Sequence, residues 1–338
     1  MMMSRPLLIR GLRLQTPSIV RRRFIAMGTE VLVTVASRGR RHDAEAAMLS
    51  VRRLIEDFGR DWWAWGPGTL GGINRRLAAG EAASIPLPMQ PLFRRAWEIH
   101  QQTGGAYEPR IGALVRLWGF DDIVRIRSAP PAAADIAAAH AALCSAPAYD
   151  GGGDYGPAPG ITWDFGGIAK GWIVDAALEL LASHGFGDAT VDAGGNLATR
   201  GRRHERAWRI GIRDPRSAAE QPGLLATLDA GDEAVNTHGD DQRWFEHRGQ
   251  RYSHLLDPRS GWPSQGLRAL TVVHPDGSWA EAAGAALFVS GPAGWQPLAR
   301  RLGITQVLVV HEDGRVQATA ALAARLQAEP DVRIQWLD

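Results

Sequence analysis

The sequence predicts an α+β protein built as a single integrated domain. Three observations carry that prediction. Strand-like alternation and the ~3.6-residue apolar spacing of helices both recur, without the strict strand–helix alternation of a doubly wound sheet. No long Pro-, Gly- or Ser-rich linker divides the chain. The 338 residues, 45% apolar and 22% charged, can bury a large core.

Residues 1–22 read as a flexible basic arm carrying Arg5, Arg10, Arg13, Arg21 and Arg22, and residues 23–338 as the folded domain. The stretch "RFIAMGTEVLVTVAS" (23–37) alternates after Gly28 and predicts a strand. The next stretch, 41–62, spaces Met48, Val51, Leu54 and Ile55 as one helical face, with Asp43 as its N-cap. A turn-rich segment follows, briefly helical around Asn74, then a helix over 89–105 stopped by Gly104 and Gly105. "GAYEPRIGALVRLWGF" reads as irregular, and prolines open an alanine-rich helix after it. From Asp164 a glycine-led helix runs to Gly185, then "DATVDAGGNLATRG" reads as strand, turn and strand. Further strands precede "RALTVVH", one or two helices follow it, and a hairpin from "TQVLVV" closes the pattern.

Composition removes several function classes. The 38 basic residues face 36 acidic ones, so the net charge of +2 gives no electrostatic footprint for nucleic acid. Cys144 is the single cysteine; it excludes an internal disulfide and reads as a small core residue. Arg10 and Arg13 interrupt the short apolar run near the N-terminus, no lipidatable cysteine follows, and no window of about 18 apolar residues exists. The expectation is a cytoplasmic chain with no transmembrane segment.

All but one of the 38 basic residues are arginine; the exception is Lys170, in "DFGGIAKG" (164–171). Lysine is a compact point charge and arginine a wide planar fork. Glycines at a helix start, followed by a lysine, suit a phosphate, because free N–H groups there favour anions. The glycine and lysine order is not that of a Walker motif. Three more clusters carry polar groups. "VDAGGNL" (191–197) is a glycine turn with Asn196. The stretch 234–263 holds Thr237, His238, Asp240, His254 and Asp257, and a histidine followed by an acid suits a positioned base. "SWAEAAGAALFVSG" places Glu281 in the first turn of an apolar helix, where an acid also complements the dipole.

Taken together, and in this order, "AMGTEV" (26–31), "TGGAYEPRIGALVRLWGF" (103–120), "DFGGIAKGWIVD" (164–175), "VDAGGNL" (191–197), "YSHLLDPRSGWP" (252–263) and "AEAAGAALFVSG" (280–291) resemble the ApbE family, the FAD:protein FMN transferases. The resemblance runs from about residue 24 to the end. It implies a duplicated T-fold-like α+β core. It also implies a reaction in which FAD is the substrate, AMP leaves, and FMN is attached to a threonine of a flavoprotein acceptor with a divalent cation, usually magnesium. Carried over by position, it implies flavin or FAD contacts at Met27, Trp65, Ala106, Tyr107, Glu108, Asp164 and Lys170. It implies a catalytic base at His254, supported by Asp257, and a metal site at Gly167, Glu281 and Ala285.

The sequence departs from the family pattern at the metal. The family segment "DALAT" reads "EAAGA" here, with Glu281 for Asp and Ala285 for Thr. Glutamate still reaches a cation, alanine supplies no oxygen, and Gly167 offers only its carbonyl. The family's "STSG" reads Asn236, Thr237, His238 and Gly239. Alternatives to the transferase are therefore a non-catalytic flavin-binding paralogue with a degenerate metal site, or an FAD pyrophosphatase releasing FMN and AMP.

Overall fold

The computed structural model describes residues 17–122, 126–217 and 223–338. Among these, nine strands form one sheet in which chain order is also spatial order. They are β1 (Pro17–Ala26), β2 (Thr29–Arg38), β3 (Ala189–Ala193), β4 (Asn196–Arg200), β5 (Glu233–Gly239), β6 (Leu267–His274), β7 (Val307–His311), β8 (Val316–Thr319) and β9 (Ile334–Leu337). Neighbours are antiparallel except β8 and β9, which are parallel. The helices are α1 (Arg41–Asp61), α2 (Thr69–Ala78), α3 (Gln90–Gln102), α4 (Gly112–Leu117), α5 (Ala133–Ser145), α6 (Ala169–Ser183), α7 (Gly277–Val289) and α8 (Gly291–Leu302). No helix among the described residues is long and apolar enough to cross a membrane.

The strand period of two divides the core. Ala234, Leu270, Val272, Val307 and Val309 face the helices, while Val235, Ala269, Val273, Leu308 and Val310 face the other side. There a small sheet of 208–213, 224–230 and 326–328 covers them. The central strands are buried on both faces, which is why "VLVV" lacks a polar alternate and the single polar residue of "ALTVV", Thr271, is itself buried and bonded to Thr237. The expected α+β class is what the structure has.

Four local expectations are corrected. Residues 17–22, assigned to the arm, are the first half of β1, paired along β2 from Pro17 opposite Arg38. Val20 and Phe24 enter the core while Arg21 and Arg23 face solvent, as an edge strand allows. The rest of the expected arm, 1–16, lies outside the described residues. Asp43 is not the N-cap of α1; it lies inside the first turn and accepts from Arg40 Nε at 3.0 Å. Cys144 is exposed, not core, because it sits on the outer side of α5 with Sγ 3.5 Å from His140 Nε2. The segment read as irregular contains α4.

One helix crossing places the site. A Cβ at Gly171 of α6 would lie 2.1 Å from the carbonyl oxygen of Gly277, the first residue of α7, and a Cβ at Gly277 would lie 2.8 Å from the Gly171 oxygen. The two backbones touch there. Asp175 Oδ2 accepts the Gly277 N–H at 2.8 Å, and Asn236 of β5 donates to the Gly277 carbonyl at 3.0 Å. The start of α6, the first turns of α7 and β5 are thereby fixed to one another.

Candidate active site

The segment before α6 is held from below. Trp163 and Phe165 both turn into the core, with ring centroids 4.8 and 4.7 Å from Phe93, and extended alternation sends Asp164 the other way. Buried Asn74 grips Trp163 on both sides. Its Nδ2 donates to the Trp163 carbonyl at 2.9 Å and its Oδ1 accepts the Trp163 N–H at 2.9 Å. The same Nδ2 donates to the Ala64 carbonyl at 3.0 Å, tying in the segment that carries Trp65. The helix around Asn74 is legible in the sequence, but this clamp, which joins residues far apart in the chain, is not. Burial raises the Asp164 carboxyl above its usual range, while the Gly166 N–H at 2.9 Å and the charges of Arg243 and Lys170 pull it back.

Lys170, the second residue of α6, turns back over the glycine turn. Its Nζ donates to the Gly166 carbonyl at 2.9 Å and lies 2.7 Å from Glu281 Oε1. The other Glu281 oxygen, Oε2, accepts the Gly171 N–H at 2.7 Å. That N–H belongs to the open first turn of α6, so Glu281 caps α6 from across the crossing. Glu281 is 1% exposed and lies beyond the first turn of its own helix, not within it as the sequence suggests. The N-cap of α7 is Asp276, whose side chain accepts the Trp279 N–H at 2.9 Å. Within α7 every residue is buried except Ala285. Four residues after Glu281, Ala285 therefore presents a methyl group on the same face.

His238, from β5, lies against that helix. A Cβ at position 284 would meet its Nε2 at 2.7 Å, so Gly284 makes the room for the ring. Nε2 has no hydrogen-bond partner among the described residues. Burial first, and then the charge of Lys170, lowers the imidazole to about 4; the Ala280 and Glu281 carbonyls pull the other way. The unfolded chain takes up this proton near the ordinary value of 6.5, and the folded chain only near 4. Stability from this group is thus present above pH 6.5 and drains as pH falls towards 4. His238→Asn is expected to flatten the pH dependence of urea stability between pH 6.5 and 4.5, by up to about 1.4 kcal/mol per pH unit. An unchanged slope would contradict the burial of a neutral ring.

His254 follows the 250–253 strand. Its N–H donates to the Arg243 carbonyl at 3.0 Å, and its Nδ1 lies 3.3 Å from the same oxygen. A carbonyl only accepts, so Nδ1 carries the proton and Nε2 is the basic nitrogen. Burial, then the charge of Arg243, lowers the ring to about 3, with further contributions from Lys170 and His238. Asp257, expected to support His254, is instead held by Arg259, whose Nε and Nη2 reach it at 2.8 Å each. The group orienting His254 is the Arg243 carbonyl. Arg243, whose Nη1 reaches the Phe120 carbonyl at 3.3 Å, was not singled out in sequence, since nothing in "DDQRWFEHRGQR" separates it from Arg248 and Arg251.

Of the expected flavin-side residues, Ala106, Tyr107 and Glu108 are buried, while Met27, Trp65, Asp164 and Lys170 are half-buried. Ala106, Tyr107 and Glu108 form a tight turn under the start of α6. Glu108 is neutralised by Arg110 through Nε at 2.8 Å and Nη2 at 2.7 Å, with His100 Nδ1 at 3.3 Å. The Tyr107 ring is 3.4 Å from where a Cβ of Gly167 would stand. Its hydroxyl has no partner among the described residues and is pushed up by burial, then by Glu281, Asp164 and Glu108. Met27 and Gly28, with φ of 52° and 73°, form the two-residue turn between β1 and β2. The Met27 side chain packs on α1 at Gly59. Trp65 is half-buried with its indole N–H unpaired among the described residues. Asp240 is drawn out of the site by Arg268 at 2.6 Å and Arg251 at 3.4 Å. Asn196 stands opposite Asn236 in the ladder and supports β5.

A family model described as the ApbE family matches residues 27–309. The chain is 31% identical over 296 residues to an FAD:protein FMN transferase of Rhodobacter capsulatus, a match covering 84% of this chain and 54% of that protein. The chain thus spans about half the length of that relative. It is 28% identical to an FAD:protein FMN transferase of Treponema pallidum, covering 90% of this chain and 87% of the other. Among solved structures, the ApbE protein of Thermotoga maritima superposes with a TM-score of 0.81 at 25% identity, covering 92% of this chain and all of the other. The apo flavinyl transferase ApbE of Pseudomonas stutzeri gives 0.77 at 27% identity, covering 93% and 98%.

Proposed function

The chain belongs to the ApbE family, and from that membership we propose that it transfers FMN from FAD to a threonine of a flavoprotein acceptor, with His254 as the base. The observation that carries the site reading is the His254 ring itself. Its Nδ1 is fixed on the Arg243 carbonyl, which leaves Nε2 to take a proton, and the charges of Arg243 and Lys170 act on it.

In the proposed step, the threonine Oγ attacks the flavin-side phosphorus of the FAD diphosphate. A new P–O ester forms and the bond to the bridging oxygen breaks. AMP leaves with that oxygen, and the threonine proton passes to His254 Nε2. Lys170 and Arg243 supply positive charge for the phosphate oxygens. Asp164, Tyr107 and Trp65 border the flavin side in this reading. Asp257 serves through the Arg259 turn rather than by touching His254.

Magnesium, which the resemblance implies at Gly167, Glu281 and Ala285, does not fit the residues present. Both oxygens of Glu281 are engaged, by Lys170 Nζ and the Gly171 N–H. Position 285 offers a methyl group and Gly167 a lone carbonyl. Among the described residues no group of three or more His, Cys, Asp or Glu could hold an ion. Magnesium asks for near-octahedral oxygen coordination.

The test is incubation with FAD and a flavoprotein acceptor, following AMP by chromatography and flavin fluorescence on the acceptor in a denaturing gel. Stoichiometric AMP and acceptor-bound flavin are expected. AMP with free FMN would mark a pyrophosphatase, and FAD binding without AMP a flavin-binding paralogue.

A further inference from the structure

We propose that the site's cation is Lys170 itself: its ammonium, seated on Glu281 and the Gly166 carbonyl, takes the place of a divalent metal, and the chain works without one. The substrate side of this proposal rests on the flavin-transfer reading; the metal side does not.

The seat has the chemistry of a cation site, but its occupant is covalently supplied. Nζ lies 2.7 Å from a carboxylate oxygen and 2.9 Å from a carbonyl oxygen. The side chain remains 23% exposed, so the charge is open to an arriving phosphate. An arginine fork would not sit on two oxygens so close to its own helix, whereas a compact ammonium does. In a chain where every other basic residue is arginine, the lysine stands at this position alone.

The carboxylate is not free to change partners. Glu281 Oε2 holds the open Gly171 N–H at the start of α6, where the helix dipole favours its negative charge. A metal drawn to Oε1 would displace the ammonium or stand against its like charge. Nor is a second ligand within the same turn of α7. Ala285 is the one residue of that helix not buried, and it ends in a methyl group. The flank at Gly284 is closed by the His238 ring. Glu281, one of the residues that depart from the family pattern, thus holds the one lysine.

The wild-type protein without FAD is titrated with Mn2+, and free metal is read by electron paramagnetic resonance. Free signal rising in step with added Mn2+ to about 1 mM, the weak end of protein cation sites, is expected. One tightly held Mn2+ per chain, lost in Glu281→Gln, would overturn the proposal. In parallel, AMP release from FAD in the presence of the flavoprotein acceptor is compared in EDTA and in Mg2+. Rates within about twofold are expected, and a loss of about 100-fold in EDTA that Mg2+ restores would also overturn it. If no AMP forms under either condition, the flavin-transfer reading fails while the Mn2+ titration still decides the identity of the cation.

Discussion

Gly171→Ala is expected to lower the melting temperature by about 10 °C and to release Glu281 from its buried position. On intrinsic grounds the substitution should help, since alanine is favoured over glycine inside a helix by up to about 1 kcal/mol. The crossing reverses the sign. The new Cβ would lie 2.1 Å from the Gly277 oxygen, 2.5 Å from its carbonyl carbon and 3.0 Å from the Ser278 nitrogen. All three are backbone atoms, so no rotamer change relieves the clash and α6 must lift off α7. Separation breaks the Gly171 N–H bond to Glu281 and strains the Lys170 pair. Leaving a buried carboxylate without partners costs about 3–5 kcal/mol. Gly187→Ala is the control: that glycine is exposed, and nothing lies within 4 Å of its added Cβ. A melting temperature of Gly171→Ala within the range of the control would mean that the two backbones do not touch as described.

The same crossing shows where sequence reading stops. Local signals were legible: the 41–62 helix by its spacing, the 189–200 hairpin by its glycine pair, and the start of α6 by "DFGGIAKG". The six motifs identified the family because each is short and contiguous. What a motif could not show is which atoms complete it. Glu281 was legible as a carboxylate in a metal-ligand position, yet its partners are Lys170 and an amide 110 positions away. Asp257 was legible as an acid three residues after His254, but Arg259 is nearer to it in the turn. The strand at Pro17 was hidden by its arginines, because an edge strand tolerates charge on its open face. The small sheet joins 208–213 to 326–328 through 224–230, a pairing that no periodicity reveals.

His254→Asn is expected to reduce turnover by about 10²–10⁴-fold, the range a positioned general base supplies, while FAD affinity changes only a few-fold. Asparagine can still donate to the Arg243 carbonyl, so the fold is kept and the proton acceptor is lost. The pH profile separates this role from a structural one. In the free protein burial and the nearby charges lower the ring to about 3, so Nε2 is unprotonated throughout the neutral range. The acid limb of kcat/KM, which reports the free enzyme, is therefore expected far below the ordinary imidazole value. Bound diphosphate brings negative charge next to the ring and favours its protonated form. The acid limb of kcat is accordingly expected at a higher pH than that of kcat/KM, and the gap should shrink for a substrate with less phosphate charge. Wild-type turnover in His254→Asn, or a kcat/KM limb at the unperturbed value, would remove His254 from the proton-transfer step and leave it as a buried ring on the Arg243 carbonyl.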